Sequence, residues 1–93
     1  ALRKKDAELW HWLTLAAMNA QGIRRTPFKL PVAVTFYWND RLDIDNHAIM
    51  GKMIVDAMKG RVIEDDNRRW LKSVSHNFHD EDYIQVEIRE VRP

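Results

Sequence analysis

Residues 32–38 read Val-Ala-Val-Thr-Phe-Tyr-Trp, and no other stretch limits the possible folds as much. On an extended backbone Val32, Val34, Phe36 and Trp38 share one side, and Ala33, Thr35 and Tyr37 the other. β-Branched and aromatic residues suit a pleated surface, so the run reads as a strand. Pro27 and Pro31 break the basic connector that precedes it. A strand this apolar needs neighbours. The chain offers two, WLKSVSHNF at 70–78 and YIQVEIREV at 83–91, joined by the turn HDED.

The remaining patterned segments have a helical period. In residues 3–21, Leu9, Leu13, Ala16 and Ala20 recur at i, i+4, i+7 and i+11, and Gly22 follows as a stop. A second helix is expected from an Asn46 N-cap to the Lys59–Gly60 end, with Met50, Met53, Ile54 and Ala57 as its apolar face. A charged loop, RVIEDDNRR, links it to the later strands. The order is helix-strand-helix-strand-strand. The fold class it implies is α+β, with both helices on one face of a small mixed sheet.

Ninety-three residues make a single domain, 1–93, with a small core that dimerisation would enlarge. Four tryptophans, at 10, 12, 38 and 70, are expected to anchor the core or a dimer surface. The chain has no cysteine, which excludes disulfides and thiolate metal sites and suits a cytoplasmic location. No apolar run is long enough to span a membrane, and no signal peptide is visible. With 15 Lys+Arg against 14 Asp+Glu, net charge +1, the total does not decide for or against nucleic acid.

The segment RLDIDNHAIMGK, 41–52, crowds two aspartates at the expected start of the second helix. At 100° per residue, Asp45, Lys52 and Asp56 lie in one narrow arc with Ile49, roughly 120° from the apolar face. Lys52 stands about 10 Å beyond Asp45 along the axis and leans back toward it. Asp43 and Asp45 share a side if the backbone is extended, and like charges so close suit a hard divalent cation such as Mg²⁺. An acid from Glu64, Asp65 and Asp66 would complete such a site if the fold returns that loop. The plainer alternative is a solvated helix start, where aspartate suits the free N–H groups and the dipole.

Taken together, the Asp-x-Asp-Asn motif, the lysine, VDAM and the acidic loop before two strands resemble the RusA family of Holliday junction resolvases, of the prophage type. The resemblance runs over nearly the whole chain, most specifically over 43–66. It implies a β-α-β-α-β-β fold with the first strand absent here, a homodimer, and Mg²⁺ (or Mn²⁺ in substitution) used to nick four-way junction DNA symmetrically in recombination and repair. Carried over by position, Asp43, Asp45 and Asp66 are the implied metal ligands, Lys52 the active-site lysine, and Asp56 a supporting residue. The spacing from Asn46 to Lys52 is six residues where three is usual, which leaves the lysine on nearly the same face. The alternatives are a catalytically silent DNA-binding or structural protein of the same fold, and a metal-dependent nuclease for other branched DNA.

Arg41, Arg68 and Arg69, beside the acids, are the expected DNA contacts, which position a backbone without reading sequence. Arg61 and Lys59 add to the same basic surround. No zinc spacing joins His11, His76 and His79. His47 is expected to be a partly exposed helix-start residue.

Overall fold

The computed structural model describes residues 4–92. Its elements are α1 (Lys4–Ala20), β1 (Val32–Trp38), a 3₁₀ turn (Ile44–His47), α2 (Ala48–Met58), β2 (Leu71–Phe78) and β3 (Gln85–Glu90). The expected order and class hold, a small α+β fold with two helices and a three-stranded mixed sheet. The expected start of the first helix at residue 3 lies outside the described residues.

β1 is the central strand, in the order β2-β1-β3. It pairs in parallel with β2, from Ala33↔Ser73 to Trp38↔Phe78, and antiparallel with β3, from Val32↔Glu90 to Tyr37↔Gln85. Parallel neighbours need a long crossover, and α2 lies within it. β3 is shorter than its sequence pattern because β1 offers partners only as far as Tyr37 and Val32. Val32, Val34, Phe36 and Trp38 are buried on the covered face, as the alternation required. The opposite face carries Ser73, Ser75, Asn77, Gln85, Glu87 and Arg89, all exposed, so the sheet is covered on one side only.

Both helices end on glycine. Gly22 has φ 69, its N–H donates to the Asn19 carbonyl at 3.1 Å, and Ile23 N–H donates to Met18 at 3.0 Å. That is the Schellman pattern, which needs a left-handed residue at this point. Gly60, φ 77, follows the extended Lys59 in a tight turn in which Arg61 N–H donates to the Met58 carbonyl at 3.1 Å.

Two helical faces differ from expectation. The face of α1 turned inward carries Trp10, Leu15 and Met18, whereas Leu9 and Leu13 are about half exposed, at 55% and 50%. From Leu9 to Ala20 α1 is apolar on several sides, and packing rather than side-chain size chose the inward one, since Trp12 is 71% exposed. In α2 the buried residues are Gly51, Ile54, Val55, Ala57 and Met58, with Met50 packed against the core, so Ile54, Ala57 and Met50 of the expected face are inward and the buried side is wider than expected. The row of Met53 and Ala57 lies beside α1, near Trp12 and Leu15. α2 is wedged between two neighbours, and sequence spacing described only one of its contacts. Among the described residues no helix is long and apolar enough to cross a membrane.

Candidate functional site

The helix after the aspartates does not start on Asn46. Asp43 takes the cap position with extended backbone (φ −62, ψ 146), Asn46 N–H donates to the Asp43 carbonyl at 3.0 Å, and 44–47 form the 3₁₀ turn. Asn46 is therefore inside the turn, not at its cap. The reason lies one residue on. His47 is fully buried, against the expectation of a partly exposed residue. Its ring lies 4.6 Å from the Trp38 ring and 5.4 Å from that of Phe78. Its Nε2 lies 2.9 Å from both carboxylate oxygens of Asp40, and Nδ1 3.3 Å from the Ile44 carbonyl. Both partners only accept, so each contact is a hydrogen bond when the facing ring nitrogen carries its proton. Asp40 also accepts from Leu42 N–H at 2.9 Å. Burial pushes the Asp40 carboxyl upward, but hydrogen bonds from His47 and Leu42 and the charge of His47 outweigh it, and the net shift is downward. This pair fixes the turn that presents Asp43 and Asp45, both exposed.

Along the outer side of α2 the charges alternate. Lys52 Nζ lies 3.5 Å from Asp56 Oδ2, Lys59 Nζ 3.5 Å from Asp56 Oδ1, and Lys59 Nζ 3.6 Å from Asp66 Oδ2. The arc of Lys52 and Asp56 seen in the sequence is real, and Lys59 extends it to the loop. Lys52 is 64% exposed at the side chain, so the pairing with Asp56 is a surface contact of small energy. Asp66 is held below the usual carboxylate range. Its partial burial acts upward, but hydrogen bonding with Asp65 and the charges of Lys59 and Lys52 prevail. For Lys59 desolvation acts downward, and Asp66 and Asp56 outweigh it to raise its pKa.

Between α2 and β2 runs an open groove of about 350 Å³. Lys52 and Asp66 stand on its walls, with Gly51, Val55, Val74 and His76 among the residues around them. β2 is an edge strand, and Val74 on its covered face stays 41% exposed, on the open groove. His76 Nδ1 accepts from Trp38 Nε1–H at 3.0 Å. Burial, and then the charge of His47, push the His76 pKa down.

The structure thus brings Lys52 and Asp66 to one groove, across the loop that separates them in sequence. Asp43 and Asp45 stand in the exposed turn before α2. Among the described residues no three His, Asp or Glu side chains converge as ligands of one ion, so these two do not join Asp66 in such a set. Arg41, Arg68 and Arg69 are exposed, and among the described residues none of them is in an ion pair. The Arg69 guanidinium lies over the Trp70 ring at 5.1 Å. Arg61, by contrast, is engaged elsewhere, donating to the Ile23 carbonyl at 2.6 Å and Asn19 Oδ1 at 2.7 Å to tie the end of α1 to the loop.

Sequence reading missed the Asp40–His47 pair and the Trp38–His76 bond. The only available signal was spacing, with Trp38, Asp40 and His47 clustered where a strand ends beside a helix start. What fold and site define together is a small α+β domain with a mainly apolar groove beside an edge strand, with Lys52 and Asp66 on its walls. Comparison with protein-family models, curated proteins and solved structures finds no match to this chain.

Proposed function

We propose that this domain is a Mg²⁺-dependent, structure-selective endonuclease that resolves four-way junction DNA as a homodimer. The observation that carries the reading is that Lys52 and Asp66 both line the groove between α2 and β2. They are two of the four residues that the motif assigns to catalysis, and they come from different elements. The order of elements around the motif agrees with the same reading. Lys52 is exposed enough to meet a backbone phosphate and acts on it as a point charge. Arg41, Arg68 and Arg69, exposed on either side of the acids in sequence, supply phosphate contacts that hold the strand without reading its bases. A junction has two symmetric strands to cut, which suits a two-fold dimer carrying two sites.

Asp43, Asp45 and Asp66 do not form a ligand set in this conformation, so no step is assigned to a metal ion. The Mg²⁺ requirement rests on the Asp-x-Asp-Asn motif alone. One observation favours a second reading, a DNA-binding domain without cleavage: Asp66 is already paired with Lys59. The Asp45→Asn variant separates the two. On the endonuclease reading it binds a synthetic four-way junction like the wild type, in a gel-shift assay, and loses Mg²⁺-dependent nicking. Undiminished nicking by Asp45→Asn overturns the assignment of the site. Binding without nicking by the wild type itself establishes the silent reading.

A further inference from the structure

We infer that the outer face of α1 is a self-association surface, on which two copies pack α1 against α1 antiparallel about a two-fold axis. Leu9, Trp12 and Leu13 are 55%, 71% and 50% exposed, and Ala16, Ala17 and Ala20 are exposed beside them. Leu9, Leu13, Ala16 and Ala20 follow one another at intervals of four, three and four residues. Alternating steps of four and three residues put them on one stripe, the pattern of a helix-pair seam. A solvent-facing helix normally carries charge on its outer side. From Leu9 to Ala20 this helix has no Asp, Glu, Lys or Arg. Its core side is already filled by Trp10, Leu15 and Met18, so the outer stripe is surplus to the fold.

The occupant follows from the sizes along the stripe. The bulky residues lie in its N-terminal half and the alanines in its C-terminal half. An antiparallel pair centred between Thr14 and Leu15 sets Leu9 against the partner's Ala20 and Leu13 against the partner's Ala16. Trp12, at the flank, lies level with the partner's Ala17. Each large side chain then meets a small one, as close packing requires. A parallel pair in register sets Trp12 on the partner's Trp12 and alanine on alanine, which crowds one end and leaves a gap at the other. The three large residues expose roughly 350 Å² per protomer, about 700 Å² for the pair. The alanines and the flanking stems of Lys5 and Glu8 bring this toward the ~1,000–1,200 Å² at the lower end of specific interfaces. The inference does not depend on nuclease activity.

The chain has no cysteine, so engineered pairs report geometry without background. Wild-type protein is expected to sediment as a monomer–dimer mixture in the micromolar range. Leu13→Glu is expected to be monomeric with an unchanged circular dichroism spectrum, since the position is exposed. Under mild oxidation the Leu9→Cys/Ala20→Cys double variant is expected to form a covalent dimer, and neither single variant to do so. Along an antiparallel pair Leu9 is about 16 Å from the partner's Leu9, too far for a disulfide. A wild type that stays monomeric at about 100 µM overturns the inference, whether the stripe then binds lipid vesicles or nothing. Cross-linking of Leu9→Cys alone, as readily as the double variant, overturns the antiparallel arrangement. A dimer that survives Leu13→Glu and resists cross-linking in the double variant places the interface elsewhere.

Discussion

Gly51→Ala isolates how closely α2 approaches the sheet. A Cβ at this position stands 3.0 Å from His76 Cε1 and 3.1 Å from Phe36 Cε2, both tighter than ordinary carbon contact. Phe36 is fully buried and stacked on Trp38 at 5.2 Å and on His76 at 5.3 Å between ring centres, so it has nowhere to retreat. Alanine gains about 0.5–1 kcal/mol over glycine inside a helix. Overpacking a tight core costs about 1–3 kcal/mol. The overpacking wins, and the net loss is about 1 kcal/mol, which lowers the Tm of a domain this size by about 4–8 °C. Thermal and urea unfolding followed by circular dichroism measure it. The cause is checked by repeating the substitution in a Phe36→Leu background, where the ring is gone. There Gly51→Ala is expected to cost less, since the Phe36 contact is gone and only that to His76 remains, a coupling that a double-mutant cycle reads directly. A stabilised Gly51→Ala single variant, or an equal loss in both backgrounds, refutes the reasoning.

Two further outcomes concern the histidines beside the groove. With its folded-state pKa pushed down, His76 resists a proton that the unfolded chain accepts. Stability is therefore full above about pH 6.5 and falls as the pH drops through that value toward the folded pKa. His76→Asn keeps an acceptor for Trp38 and is expected to flatten the Tm profile between about pH 7 and 5; an unchanged slope assigns it to another group. Asp40→Ala strands the buried nitrogen of His47 and is expected to cost about 1–3 kcal/mol in urea unfolding. His47→Leu leaves Asp40 close to water and is expected to cost less, so the reverse ranking contradicts the buried pair.

The strands were legible because each had a local cause. Val32 to Trp38 alternate in a pattern that only a strand satisfies, and β3 keeps the same alternation with Val86 and Ile88 inward. Gly22 and Gly60 marked helix ends, and both adopt the left-handed backbone that only glycine takes readily. Faces were harder to read. Where a helix is apolar on several sides, as α1 is from Leu9 to Ala20, spacing gives several equivalent stripes and tertiary packing chooses among them. The strictest periodic row, Leu9 to Ala20, faced outward.

Lys52 and Asp66 were named from the motif and both line one groove, because the crossover through α2 returns the loop beside the helix. Asp43 and Asp45 occupy the turn where the motif put them, yet their approach to Asp66 depends on side-chain and loop placement that no spacing rule fixes. The burial of His47 was not legible because it comes from Trp38 and Asp40 at the end of β1 and from Phe78 at the end of β2, which only the fold brings together.

The central claim concerns junction cleavage by the Lys52–Asp66 groove. The direct measurement is single-turnover nicking of a synthetic four-way junction and of a matched linear duplex, with and without Mg²⁺, by wild type and Lys52→Met. The expected result is paired symmetric nicks on the junction alone, only with Mg²⁺, slowed about 10²–10³-fold by Lys52→Met. Equal cutting of the linear duplex, nicking indifferent to Lys52→Met, or no cutting at all by the wild type contradicts it.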